Sequence, residues 1–386
     1  MAERLRFDGT DLLLATVAWS RIAEPGEHVA GSLVRAIGPV AALDWVRSES
    51  LQPPGVPPHV GWGAAAARWR PRLNGLDPRR ELAVMRRLGG RVLLPDDPRW
   101  PRRLDDLGDT RPMCLYVLGS AELAAMTRRA VALVGARSCT NYGKHVAREL
   151  GVGLASRGVA VVSGGAFGID AAAHHATVAE GGPALAVMAG GLDRLYPKDN
   201  VELLEQVIEC GAVVSEAPPG TSPMRQRFLA RNRLIAALSE ATVVVEAAWR
   251  SGAFSTARHA AELLRPVGAV PGPVTSAASA GCHRLMREGT AVCVCDVGEV
   301  LELTAGLEPV AEAPYAQPGL LDDLDQEEAR VLDAMPARAA AEVDSLVRAS
   351  GLSATETLAA LGMLEMVGKV QRTGTGWRRA REEAAS

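Results

Sequence analysis

The chain has 386 residues, with 45 acidic against 42 basic side chains and a formal charge of −3, so bulk charge draws it to neither nucleic acid nor an anionic membrane. At 48% hydrophobic and 23% charged it has the composition of a folded protein, and its length exceeds one ordinary domain. Aromatics are only 4%, which argues against a grip on single strands built mainly from stacked rings and leaves any polyanion site to backbone amides and a local patch of charge.

Residues 11 to 50 place Leu12, Leu13, Val17, Ile22, Val29, Leu33, Ile37, Ala41 and Val46 at mainly three- and four-residue intervals, broken at Pro25-Gly26 and Gly38-Pro39. The spacing predicts a small bundle of short helices. The proline-rich stretch from Pro53 to Pro58 cannot continue a helix, and a further helical stretch precedes Pro71. From Val131 onward, short apolar runs (Val131 to Val134, Val159 to Val162, Leu185 to Met188, Ala212 to Val214, Thr242 to Val245, Val267 to Val270) alternate with glycine-rich turns and helical segments. That alternation predicts an α/β fold, a Rossmann-like doubly wound parallel sheet with helices on both faces. Asp199 and Glu202 have the spacing of a capping box for one of those helices. Residues 305–319 read as a linker. Beyond it, three helical segments, the last opened by Ser353-Ala354-Thr355-Glu356, and a hairpin turning at Gly374-Thr375-Gly376 predict a winged helix. The expected domains are therefore 1–72, 76–304 and 320–386, joined by that linker.

Three glycine-rich turns follow strands: Gly135-Ala136-Arg137-Ser138, Ser163-Gly164-Gly165-Ala166 through Asp170, and Gly190-Gly191-Leu192-Asp193. Loops at the C-terminal ends of parallel strands bind ligands, so the three imply one shared crevice. The first turn, opening a helix, is the natural place for a phosphate beside Arg137; the alternative is a tight turn with a solvated arginine. The second lacks the G-x-G-x-x-G spacing, and no acidic residue ends the next strand to hold a ribose, so a dinucleotide cofactor is not expected. Asp170 and His174 one turn apart read as a helix N-cap beside a packed histidine. Between Arg225 and Arg258 lie six arginines (225, 227, 231, 233, 250, 258) against Glu240 and Glu246, the basic patch that a net acidic chain needs. Phe228 among them is either core or a stacking surface.

No G-x-S-x-G elbow, no cysteine beside a histidine base and no P-loop is present, so no catalytic residue is expected. Ser163, Ser215 and Ser251 are expected as phosphate ligands. Cys114, Cys139, Cys210, Cys282, Cys293 and Cys295 form no Cys-x-x-Cys pair and meet no histidines at zinc-finger spacing, which predicts reduced thiols, no metal and packing alone for Cys293 and Cys295. The apolar run from Leu12 to Trp19 is too short for a signal-peptide core or a span, so a cytoplasmic address and no membrane partner are expected.

The ordered motifs Val134-Gly135-Ala136-Arg137, Ser163-Gly164-Gly165-Ala166 to His174, Gly191-Leu192-Asp193 to Tyr196-Pro197, Ser215-Glu216, Phe228 to Ile235, Val245-Glu246-Ala247, Ser251-Gly252 to Ala257 and Val270-Pro271-Gly272 resemble the DNA processing DprA (Smf) family of bacterial recombination mediators. The resemblance spans about residues 113 to 303. It implies an extended Rossmann core, a SAM-like or helix-hairpin-helix N-terminal domain and a winged helix. It further implies single-stranded DNA binding, a homodimer, loading of the recombinase RecA during natural transformation, no cofactor and no enzymatic activity. The resemblance maps the family's basic pocket to Arg137, Arg231 and Arg233, with Phe228 as the stacking candidate and Asn232 beside them. With Ser163, Gly164, Arg225, Arg227 and Arg250 from the turns and the patch they make the expected DNA-binding set, and Lys369, Arg372, Arg378 and Arg379 of the wing are a secondary contact or a solvated face. Ala136, Gly165, Leu229 and Phe254-Ser255 depart from the family pattern, Ala136 by losing a hydroxyl. The rival reading is a nucleotide-binding enzyme like the lysine-decarboxylase-like phosphoribohydrolases, whose P-G-G-x-G-T loop this chain lacks.

Overall fold

The computed structural model describes residues 5–48, 50–57, 61–304, 325–336, 339–374 and 376–380. The expected linker, 305–319, lies outside the described residues. The chain divides into two compact units, Met1–Val310 and Ala311–Ser386.

In the first unit, α1 (Leu12–Ile22) is capped by Asp11, whose carboxylate accepts from the Leu14 N–H at 2.9 Å. α2 (His28–Arg47) breaks at Gly38, where φ is +81° ahead of Pro39, and α3 (Trp62–Trp69) follows. Their core holds Trp19 against Trp69 edge-to-face at 5.3 Å, and Trp45 against Trp62 at 5.9 Å. α2 has the length and composition to cross a membrane, but Leu33, Leu43 and Val46 are fully buried in this core, which accounts for its apolar character. α4 (Arg79–Arg87) then leads to β1 (Arg91–Leu93), β2 (Leu115–Leu118) and the single turn α5 (Leu123–Met126).

The parallel core runs β3 (Ala130–Gly135), α6 (Asn141–Ala155), β4 (Ala160–Ser163), α7 (Ile169–Ala179), β5 (Ala184–Met188), α8 (Val201–Cys210), β6 (Ala212–Ser215), α9 (Arg225–Ala237), β7 (Ala241–Glu246), α10 (Ala253–Glu262), β8 (Val267–Ala269), α11 (Ala280–Arg287), β9 (Val292–Cys293) and α12 (Val297–Glu302). Among the described residues the strands form one sheet in the order β1-β2-β6-β5-β4-β3-β7-β8-β9, parallel from β6 to β9, with β1 and β2 added antiparallel. Strand residues alternate between faces: Ala132, Val134 and Val244 pack under α9 and α10, while Val131, Leu133 and Val243 pack under α6 and α7. The order reverses at β3, with β4 on one side and β7 on the other, so the topological switch point lies between β3 and β7.

Two local expectations fail. Asp199 and Glu202 form no capping box, because Lys198–Asn200 make a 3₁₀ turn behind Pro197 and the helix begins at Val201. The Asn200 amide instead donates to the carbonyls of Gly165 at 3.0 Å and Ala166 at 3.2 Å. Asp170 is not an N-cap either; that position belongs to Gly168, at φ +78°.

The second unit holds α13 (Gln326–Ala334), α14 (Val343–Ser350), α15 (Ala354–Met366) and the hairpin β10 (Val370–Thr373) with β11 (Gly376–Arg379). The Ser353–Glu356 capping box forms as the sequence predicts, and Gly351 closes α14 at φ +68°. Leu332, Leu346, Leu361, Val370 and Trp377 make the core of this winged helix.

Candidate nucleic-acid interface

A cavity of ≈ 720 Å³ opens at the switch point, between the turn after β3, the start of α9 and the start of α10. β3 slips register against β7 between Val134 and Gly135, freeing the Ala136 N–H to donate to the Glu246 carbonyl at 2.7 Å. The buried Glu246 carboxylate accepts from the Thr140 backbone N–H at 2.8 Å and hydroxyl at 2.7 Å, while Thr140 caps α6. This fixes the turn that carries Arg137. Gly168 lies against the carbonyls of Ala136 and Arg137, where a Cβ would collide, so the second glycine turn braces the first.

Arg137, Arg225 and Arg250 line the cavity with exposed side chains, and among the described residues none has an acidic partner. The Phe228 ring lies between Arg137, whose guanidinium stands 4.8 Å from its centroid, and Tyr196 at 6.0 Å. Tyr196 is a ring that the arginine pattern of the sequence does not reveal; its place in the third glycine turn is the signal that could find it. Asn232 also lines the cavity and donates to the Gly252 carbonyl at 3.4 Å, tying α9 to the start of α10.

Arg231 lies deeper. It donates to the Gly164 carbonyl at 2.8 Å and to that of Val187, and burial lowers its pKa to about 10, against the opposing pull of Asp170. Asp170 accepts from the N–H groups of Gly164 at 3.1 Å and Ala166 at 3.5 Å; burial raises its pKa, and Arg231 opposes the rise. The two form a charged floor beneath the exposed arginines.

Other expected ligands point elsewhere. The Ser163 hydroxyl is buried and donates to the Leu133 carbonyl at 2.6 Å; that of Ser215 donates to the Gly190 carbonyl at 2.8 Å. Gly164 has its N–H on Asp170 and its carbonyl on Arg231, so its lack of a side chain serves the approach of that guanidinium. Arg227 pairs with Glu24 at 3.0 Å, joining α9 to the loop after α1. Arg233 is 5% exposed, pairs with Glu216 at 2.7 Å and donates to the Thr110 carbonyl. In the wing, Arg372 is exposed and stacks over Trp377, and Arg378 is also exposed, whereas Arg379 turns inward to the Leu332 carbonyl.

The fold and site define a class: a doubly wound α/β protein with an arginine-lined crevice at its switch point, carrying a winged helix. The family model for DNA recombination-mediator protein A matches residues 91–305, and that for the DprA winged helix domain matches residues 314–376. A putative DNA processing protein DprA of Mycobacterium tuberculosis is 41% identical over 94% of this chain and 93% of its own length. Protein Smf of Escherichia coli is 41% identical over 53% of this chain and 54% of its own. The X-ray structure of DNA processing protein A from Streptococcus pneumoniae superposes with a TM-score of 0.61 at 29% identity, covering 74% of this chain and 96% of that one. A Helicobacter pylori structure described for its single-stranded DNA binding mode reaches 0.50 at 29% identity, covering 55% and 94%. The chain belongs to the DprA (Smf) family of DNA-processing recombination mediators.

Proposed function

We propose that the switch-point crevice binds single-stranded DNA through its phosphates, with Arg137, Arg225 and Arg250 as the contacting cations and Phe228 and Tyr196 as the surface for a base. The observation that carries this is a set of exposed arginines around one cavity in a net acidic chain, with the carboxylates of Glu246 and Asp170 engaged by backbone N–H groups and the Thr140 hydroxyl. Affinity would then come from counterion release, sequence-independent and falling with salt. The start of α10 adds its helix dipole to the same cavity.

The role we infer is mediation, as the family implies; the hydroxyls of Ser163 and Ser215 are tied to carbonyls, while Ser251 lines the cavity. Loading of RecA on the bound strand, self-association as a homodimer and action in the cytoplasm complete the reading, following the family. Anisotropy of a labelled poly-dT strand against salt, for wild type and Arg137→Ala/Arg250→Ala, tests it. Wild type is expected to bind with a steep salt slope and the variant more weakly with a shallower one; equal binding by the two refutes the site.

A further inference from the structure

A further run of positive charge lies outside the crevice. Residues 79 to 91 hold five arginines against one glutamate, a local excess equal to that of 225–258 in less than half the length. Their partners sort them. Arg79 pairs with Asp77 at 2.8 Å, and Arg91 donates to the carbonyls of Gly119 and Ala121. Glu81, the acid on α4, is taken by Arg21 at 2.6 Å. Arg80, Arg86 and Arg87 are exposed, and no ion pair is found for them among the described residues. Residues seven apart share a helix face, so Arg80 and Arg87 stand on one side of α4, about 10.5 Å apart along its axis. That separation is about three stacked nucleotides of one strand.

The Arg80 end of this face borders the loop that follows β5. Arg80 and Val84 line a recess of ≈ 460 Å³ together with Arg21, Arg72, Asp77 and Glu81, the two acids being paired with Arg79 and Arg21, and its other wall holds Asp193, Pro219 and Gly220. Asp193 belongs to the same loop as Tyr196, whose ring stands 6.0 Å from that of Phe228 in the lining of the first cavity, and its carboxylate accepts from the Gly220 N–H at 2.6 Å. The loop is tied down by the Gly191 N–H on the Thr221 carbonyl at 2.8 Å. It carries Arg194 and Lys198, both exposed. One loop therefore separates the crevice from the α4 recess; no ion pair is found for its Arg194 and Lys198 among the described residues, and Asp193 and Asp199 stand beside them in the chain.

We propose that a nucleic-acid strand leaving the crevice crosses this loop and continues along α4, with Arg80 and Arg87 holding its backbone as a second leg of the same track. The proposal rests on the crevice reading. It makes affinity depend on strand length in a way the crevice alone does not.

The test measures full-length wild type, Arg80→Ala/Arg87→Ala and Arg80→Lys/Arg87→Lys on dT6 and dT25 over a salt series, with Arg137→Ala/Arg250→Ala as the crevice control. The alanine pair is expected to bind dT6 like wild type, to bind dT25 about three- to tenfold more weakly, and to lose about 1.4 from the log–log salt slope, the share of two phosphates on a single strand. The lysine pair is expected to restore both. If dT6 binding is lost in the crevice control while dT25 binds the α4 alanine pair with wild-type affinity and slope, the crevice stands and the α4 leg is overturned. If dT6 is indifferent to the crevice control, both readings fall.

Discussion

Arg231 and Arg233 stand two positions apart on α9 and do different work, because one turns to the crevice floor and the other to Glu216. The Arg233–Glu216 pair has side chains 6% and 10% exposed, and removing one partner strands a buried charge. Arg233→Ala is expected to lower stability by about 3–5 kcal/mol, read as a shift of the urea midpoint, whereas Arg137→Ala stays within about 0.5 kcal/mol and loses DNA affinity. If both variants are equally stable, the division of roles is wrong. His174 supplies a pH test. It is fully buried, no partner for either ring nitrogen is found among the described residues, and burial pushes its pKa down to about 4. The unfolded chain takes up a proton near pH 6.5 while the folded one stays neutral, so the stability His174 lends is full above that pH and falls away toward pH 4. His174→Leu is expected to flatten the loss of urea midpoint between pH 6.5 and 4; an unchanged slope would place the effect in other groups. Sequence alone marked these arginines as a cluster but not their partners, since Glu24 and Glu216 reach α9 from distant loops.

The parallel strands were legible because each is a short apolar run closed by glycine or polar residues, a pattern that survives without knowledge of its neighbours. β1 and β2 were not read, because a three-residue strand starting at Arg91 carries no periodicity and pairs only through β2 and β6. The sequence places the three glycine turns at one crevice; the first two meet through Gly168 and line the cavity, while the third reaches it only through the Tyr196 ring against Phe228. What the sequence withheld was which turn faces solvent: the second is consumed in holding the first and Arg231. Gly168→Ala puts a side chain at φ +78° against the carbonyls of Ala136 and Arg137. It is expected to cost about 1–3 kcal/mol and to weaken single-strand binding as well, although Gly168 touches no ligand. A variant that loses stability but keeps wild-type affinity after correction for its folded fraction would uncouple the two turns.

At the scale of the whole chain, the question is what the winged helix adds. In this architecture the third helix is the one that reads a major groove, and here that helix, α15, contains no lysine, arginine, asparagine or glutamine. Its exposed side carries Leu358, Met363 and Met366, with Glu356 and Glu365 as its charges. Apart from the Thr355 hydroxyl such a face has no side-chain donor for a purine edge, none that is bidentate, and its glutamates repel phosphate. Most of the module's positive charge sits in the wing, where Arg372 and Arg378 are exposed but Arg379 is turned inward; Arg330 and Arg348 lie on α13 and α14. A few wing cations add avidity for any polyanion without choosing a sequence. The chain ending at Thr304 keeps the entire sheet and the crevice within one compact unit. It is expected to bind poly-dT within about threefold of the full chain at moderate salt, with the salt slope reduced by no more than the share of two phosphates. Competition between duplexes of different sequence should reveal no preference in either form. A loss of single-strand affinity beyond about tenfold on truncation would move the main binding surface to the wing, and a sequence-selective duplex complex would mean that α15 reads bases by contacts its side chains do not offer here.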